Sequence, residues 1–376
     1  MSEPAPKVLI SINSAWNIYH FRGALVKALQ RAGYRITSAA PDDAYTERLR
    51  ALVDRHIPLP MDNSGTSPWR DFLLYLRYIR LLQRERPAAL LTYTIKPNIY
   101  GGLAARLLGI PTIANVSGLG TAFLRGGWLT KAVQPLYRAA FKNAACVFFQ
   151  NFEDRDLFLQ LKLVAPEKAA LLNGSGIDLD YFKPSPVSTH APGQPLSFIL
   201  IARLLWDKGI GEYVEAARIV KANYPDTRFC LLGALGAKNR TAIDQAQVEQ
   251  WVAEGVIDYL GETDDVRSVM AAQDCVVLPS YREGLSRVLL EAAAMGKPLI
   301  ATDVPGCRQV VDASVNGLLC QPQDAASLAA ALLQFIQLPP KTREAMGHAS
   351  RAKAEREFGE QHIFDAYLAQ LKARLP

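Results

Sequence analysis

The chain has 376 residues, 49% of them hydrophobic and 21% charged, with a net charge of +6. That length suits two domains, and the composition excludes a disordered or fibrous protein. The positive balance favours anionic partners, and the five cysteines, none closely paired, argue against a disulfide scaffold or a zinc site and for a reducing cytoplasm.

Residues 1–7 are polar and contain proline, which predicts no signal peptide ahead of the first strand. No apolar run reaches the roughly 18 residues of a spanning helix, so any membrane contact is expected to be peripheral. Residues 7–12 read as a short apolar strand, opening into a loop over 13–20 and then a helix with Leu25, Ala28 and Leu29 on one face and Gly33 as its stop. Strand, loop and helix make the first unit of a doubly wound α/β domain. The loop lacks the spaced glycines of a dinucleotide fingerprint, which argues against NAD. It gathers Asn13, Ser14, Trp16, Asn17, Tyr19, His20 and Arg22 at a strand's C-terminal end, where ligands bind in such sheets. His20 reads equally well as a ligand contact and as a capping or surface histidine.

Residues 69–86 predict a helix with Phe72, Leu73, Leu76, Ile79 and Leu82 at helical spacing. Trp69, Tyr75 and Tyr78 add amphipathic aromatics, and Arg70, Arg77, Arg80, Arg84 and Arg86 outnumber Asp71 and Glu85. Such a helix either covers a sheet or lies in a lipid interface, and its outer arginines attract anionic lipid in both cases. Strands follow at 89–93, 112–116 and 145–150, and helices at 101–108, 128–141 and 153–161. Between them lie a polar loop over 94–100 with Lys96 and Asn98, and a turn with Gly118 and Gly120. Those glycines allow close backbone approach to a ligand or simply make a tight turn.

Residues 173–194, rich in glycine and proline, read as an interdomain linker. The alternation then restarts. Strands are expected at 196–202, 228–232, 257–261, 275–278, 298–302 and 317–320, and helices at 211–222, 264–272, 325–337, 341–357 and 364–375. The organisation is a domain over 1–180, a second over 190–357, and a C-terminal helix over 358–376 packing back on the first. The fold class is α/β, two Rossmann-like doubly wound domains facing a cleft.

Chemistry concentrates in the second half. The strand 275–278 runs into Glu283 and Gly284, Ser286 is a candidate N-cap, and Glu291 lies in the following helix. By itself this reads as an ordinary βα turn or as a ligand site. Arg203 and Lys208, in the loop after strand 196–202, turn the balance. Two cations and a helix N-terminus make a strong site for a nucleotide diphosphate, and they stabilise the charge that develops as it leaves.

These motifs resemble the retaining GT-B glycosyltransferases of family 4. The two-glutamate pattern with seven residues between is met by Glu283 and Glu291, and the basic loop by Arg203, Lys208 and Gly209. The stretch Asn17-Ile18-Tyr19-His20-Phe21-Arg22, with Lys96, Asn98 and Gly118-Leu119-Gly120, resembles the PglA-like subgroup that extends undecaprenyl-diphosphate-linked sugars. The resemblance implies a UDP-sugar donor, with N-acetylhexosamine or galactose transferred. It implies a polyprenyl-diphosphate acceptor and a role in protein glycosylation, O-antigen or capsule assembly, without a metal or other cofactor. It places Glu283, Arg203 and Lys208 at the chemistry, Glu283 orienting the donor sugar and the two cations on the diphosphate. Glu291 would hold the ribose. Gly284, Leu285, Ser286, Arg287 and Val288 would help hold the diphosphate, and Tyr259 and Gly261 would lie near the base. Asn17, His20, Arg22, Lys96, Asn98, Gly118 and Gly120 would serve the acceptor.

The chain departs from the family pattern in three places. Ala15-Trp16-Asn17 replaces the usual glycine pair, Ser286 replaces a proline, and no histidine stands near Ser117, so no catalytic base is assigned. The implied location is the inner face of the cytoplasmic membrane. Rival readings are a sugar-nucleotide epimerase and a non-catalytic sugar-nucleotide-binding subunit. Nucleic-acid binding is disfavoured because the basic residues sit in helices with large aliphatics, not in a polar groove.

Overall fold

The computed structural model describes residues 5–62, 65, 67–119, 128–184, 195–236 and 241–374, with backbone alone for 128–130. It divides into a unit of Met1–Ser175 with Glu360–Pro376 and a unit of Gly176–Gly359.

The first unit is built on a parallel sheet of seven strands in the order β3-β2-β1-β4-β5-β6-β7. They are β1 (Lys7–Ser11), β2 (Arg35–Ala40), β3 (Arg55–Pro58), β4 (Ala89–Tyr93), β5 (Thr112–Val116), β6 (Ala144–Phe149) and β7 (Ala169–Leu171). The central strands β4 and β5 are buried throughout, as their near-continuous apolar runs require. The helix Glu360–Lys372 completes this unit, placing Ile363, Phe364, Tyr367 and Leu371 in one core with Val8, Ile10 and Leu91.

The second unit carries a parallel sheet of six strands in the order β10-β9-β8-β11-β12-β13. They are β8 (Ser197–Ile201), β9 (Arg228–Leu232), β10 (Asp258–Tyr259), β11 (Cys275–Leu278), β12 (Leu299–Thr302) and β13 (Gly317–Cys320). In each sheet the strand order reverses once, between β1 and β4 and between β8 and β11. Ligands of doubly wound sheets bind at that reversal, beyond the strands' C-terminal ends. All five cysteines are buried free thiols.

Several local expectations are corrected. The loop expected over 13–20 is replaced by a three-residue connection, 12–14, because the helix Ala15–Arg31 begins at once. Ser14 caps it, accepting from Asn17 N at 3.2 Å. Asn17, His20 and Arg22 are therefore helical residues. The loop expected over 94–100 is helical too, a wide turn over Pro97–Gly101 entered through Thr94 at φ 63°. In the helix Pro68–Glu85 the buried stripe is Leu74, Tyr78, Leu81, Leu82 and Glu85, not the stripe through Phe72 and Leu76. Two polar partnerships rotate it. Tyr78 bonds Ser11 Oγ at 2.7 Å, and Glu85 receives Lys7 at 3.1 Å and Arg55 at 3.3 Å. Trp69 and Phe72 are left 66% and 48% exposed.

Candidate active site

The site of the second unit forms where β8 and β11 lie side by side and parallel. The loop over 202–209 leaves β8, and the loop over 279–286 leaves β11, at the same end of the sheet. Gly209 joins them. Its φ is +73°, and a Cβ there would stand 2.0 Å from Pro279 O, so only glycine allows the two backbones to meet. Tyr281 N donates to Asp207 O at 3.0 Å beside this contact. On the far side, Gly306 presses on the glutamate loop. A Cβ at Gly306 would lie 2.5 Å from Gly284 O, and Ser286 N donates to Gly306 O at 3.4 Å.

This stacking brings Lys208 Nζ to 2.5 Å from Glu283 Oε1, with side-chain exposures of 21% and 15%. Arg203 is exposed, and its side chain has no hydrogen-bond or ion-pair partner among the described residues. Lys208 is thus held against Glu283 while Arg203 stands open to an anion. Ser286 is the N-cap of the helix Arg287–Ala294, its hydroxyl accepting from Leu289 N at 3.4 Å. The amide of Ser286 is engaged by Gly306, as noted, and so faces the neighbouring loop.

Glu291 lies one helical turn beyond Arg287, whose Nε is 2.8 Å from Glu291 Oε1. Burial raises the carboxyl's pKa, and Arg287 pulls it back only in part. A carboxylate kept at such an energetic disadvantage points to a ligand task rather than a structural one. Glu291→Gln removes the buried charge. Because the folded pKa is raised, the ionised wild-type group destabilises the fold as pH rises above its unfolded value. The variant is therefore expected to melt at or above the wild-type temperature at pH 7 while losing about tenfold or more in UDP affinity. A lower melting point would show the carboxylate to be structural.

Tyr259 and Gly261 sit beside the end of β9. Tyr259 OH donates to Gly233 O at 2.9 Å, and Gly233 N donates to Gly261 O at 2.8 Å. Two partners were not singled out in the sequence. Tyr281 OH donates to Glu212 at 2.7 Å, bracing the glutamate loop on the helix Ile210–Lys221. Asp207 supplies the carbonyl that fixes Tyr281. Only the loop position of Asp207 hinted at it.

In the first unit, Asn17 Nδ2 donates to Asn13 Oδ1 at 3.0 Å, and His20 lies in an aromatic group with Trp16 at 4.9 Å and Tyr45 at 4.7 Å. Arg22 is buried, 4% exposed, its guanidinium 4.3 Å over the Tyr93 ring. Asn98 is buried and donates to Asn115 O at 2.9 Å. Lys96 pairs with Asp71 at 2.6 Å, and Tyr100 OH donates to the same carboxylate at 3.0 Å. Lys96 is therefore engaged with protein groups, whereas Arg22 Nε and Nη1 and Asn98 Oδ1 are buried without a hydrogen-bond partner among the described residues. Gly118 has φ 145°, and Gly120 lies outside the described residues. Among the described residues, no group of three His, Cys, Asp or Glu side chains is arranged to hold a metal ion.

Two doubly wound units, one with paired cations and carboxylates at its strand reversal, define the architecture of a sugar-nucleotide-dependent transferase. The second unit carries a group 1 glycosyl transferase domain and the first a glycosyl transferase 4-like domain. The family model of glycosyl transferases group 1 matches residues 184–353, and that of the glycosyl transferase 4-like domain matches residues 21–174. The N,N'-diacetylbacillosaminyl-diphospho-undecaprenol alpha-1,3-N-acetylgalactosaminyltransferase of Campylobacter jejuni is 28% identical over 83% of this chain and 84% of its own. An Escherichia coli UDP-Gal:alpha-D-GlcNAc-diphosphoundecaprenol alpha-1,3-galactosyltransferase is 26% identical over 70% of both. Anabaena HepE, solved with UDP, superposes with a TM-score of 0.78 at 18% identity, covering 98% of this chain and 100% of that one.

Proposed function

We propose that this enzyme transfers a sugar, N-acetylhexosamine or galactose, from UDP to an undecaprenyl-diphosphate-linked saccharide, with retention at the anomeric carbon. The observation that carries the reading is the Lys208–Glu283 pair at the β8–β11 reversal, with exposed Arg203 on the same loop. The names of the Campylobacter and Escherichia relatives support the donor and acceptor classes. Arg203 and Lys208 take the diphosphate, Glu283 the hydroxyls of the donor sugar, and Glu291 the ribose.

As the bond from the sugar's anomeric carbon to the β-phosphate oxygen breaks, charge accumulates on the diphosphate. Fixed cations in a partly enclosed site stabilise that charge without reorganising. The acceptor hydroxyl forms the new bond from the face that UDP leaves, and its proton passes to the departing diphosphate oxygen. Charge balance comes from the two cations and the helix N-terminus, so the proposal includes no metal cofactor. The test is turnover of a panel of UDP-sugars with a short-chain polyprenyl-diphosphate saccharide in the presence of EDTA. Product with the anomeric configuration of the donor is expected, and inert UDP-sugars throughout the panel would overturn the reading.

The proposed acceptor class supports a working position at the inner face of the cytoplasmic membrane. Among the described residues, no helix is long and apolar enough to cross a membrane. The helix Pro68–Glu85 supports peripheral contact, with Trp69 and Phe72 exposed near its start. Arg77, Arg80 and Arg84 line a groove of about 320 Å³ floored by Ile57, Leu59 and Leu81. Changing these three arginines to glutamate is expected to weaken binding to phosphatidylglycerol vesicles at least tenfold, since each basic residue near such a surface contributes about 1 kcal/mol. Unchanged binding would leave this helix only its covering role.

A further inference from the structure

Two aromatic side chains stand at the ligand-binding end of the first sheet and take no part in the donor chemistry. Trp16 opens the helix after β1, and Tyr45 lies in the turn after β2, the parallel neighbour of β1. The indole is 42% exposed. A single exposed aromatic is unremarkable in a soluble protein. This one is held at its backbone and packed against other rings. Trp16 N donates to Asp43 Oδ2 at 2.8 Å, and Tyr45 N donates to Asp43 Oδ1, also at 2.8 Å. One carboxylate thus ties the two segments together through both of its oxygens.

Behind the indole, His20 packs at 4.9 Å and the edge of Phe21 at 5.2 Å, and His20 bridges to Tyr45 at 4.7 Å. Arg48 covers the Tyr45 ring at 5.0 Å, so the indole is the more open surface of the group. Asp43 meets the backbone of Trp16, and the next residue, Asn17, donates to Asn13.

This combination selects a ligand chemistry. A flat apolar ring, rigid before the ligand arrives, binds with little ordering cost. The Asp43 carboxylate and the Asn13 and Asn17 amides beside Trp16 suit hydroxyl and acetamido groups. The same carboxylate repels phosphate and anionic lipid. A pyranose has an apolar C–H face and an edge of hydroxyls, and it is uncharged. We propose that Trp16, backed by His20 and tied to Tyr45 by Asp43, is a stacking platform for a neutral pyranose ring of the acceptor saccharide. The assignment rests on the acceptor class proposed above and names the residue that would read its sugar. In this scheme Asp43 is a positioning residue.

The experiment is saturation-transfer NMR on the full chain with the methyl glycosides of glucose, galactose, N-acetylglucosamine and N-acetylgalactosamine, without nucleotide. At least one glycoside is expected to receive saturation on its ring protons. Trp16→Ala should remove that signal, and Trp16→Phe, which keeps a ring, should retain part of it. In transfer assays Trp16→Ala should raise the acceptor KM about tenfold and leave the KM for the UDP-sugar as it was. No glycoside signal in the wild type, or equal signals in wild type and Trp16→Ala, would overturn the platform. Calorimetric titration with UDP on the same samples reports on the donor site separately and on the integrity of the variant. A wild type that ignores UDP but keeps a Trp16-dependent glycoside signal would sink the proposed transfer reaction and leave the platform standing.

Discussion

Lys208→Ala is expected to lower sugar transfer about 10³-fold, the usual cost of removing one fixed group that stabilises developing negative charge. Lys208 is held by Glu283 at 2.5 Å, so the wild-type ammonium is in position before the donor arrives. The substitution also leaves a largely enclosed carboxylate without its partner. That should cost about 1–3 kcal/mol of stability, since unpaired enclosed charges forfeit their solvation. The two effects separate in the double variant Lys208→Ala/Glu283→Gln, where the stranded charge is gone. Its unfolding free energy should return towards that of wild type while transfer stays low. Urea titrations alongside initial-rate assays make the comparison. Wild-type transfer in Lys208→Ala would remove the lysine from the diphosphate site.

Gly209→Ala is expected to damage both the stability and the donor site of the second unit. Two costs add. The positive φ of 73° disfavours any L side chain, and the new methyl would meet Pro279 O at 2.0 Å. Gly255 supplies the control, with φ 68° and nothing within 4 Å of a Cβ. Gly255→Ala should cost about 1 kcal/mol, the backbone term alone. Gly209→Ala should cost about 3 kcal/mol or more, because a backbone carbonyl must move. The shift parts the basic loop from the glutamate loop, so UDP affinity should fall together with stability. Equal destabilisation by the two alanines would mean that the loops do not need this contact.

These contacts also mark where sequence reading stops. The strands Cys275–Leu278 and Gly317–Cys320 were legible because both are short apolar runs bounded by turn residues. The N-cap Ser286 was legible from local chemistry alone, and the structure shows it capping. Arg203, Lys208 and Glu283 were singled out by their places in loops at strand ends, and Glu291 by its spacing from Glu283 in the helix that follows. That Gly209 must be glycine was not legible, since its reason is a carbonyl 70 positions along the chain. The start of the helix Ala15–Arg31 was hidden by its own content. A buried face holding Arg22 among Ala15, Ile18 and Leu25 does not read as an apolar stripe. The face of the helix Pro68–Glu85 was misread for the same reason. Its buried Glu85 is sustained by Lys7 and Arg55, partners that no local pattern announces.

The helix Glu360–Lys372 carries a consequence for biosynthesis. Its Ile363, Phe364, Tyr367 and Leu371 fill the core of a unit whose other residues all precede Gly176. On the ribosome that core must wait, with the apolar sides of the helix Ala15–Arg31 uncovered, until the whole of Gly176–Gly359 has been made. The intervening unit, continuous in sequence, has all its residues first. The residues of the second unit are therefore complete before those of the first, and the apolar surface left open on the emerging chain is that of its amino-terminal half.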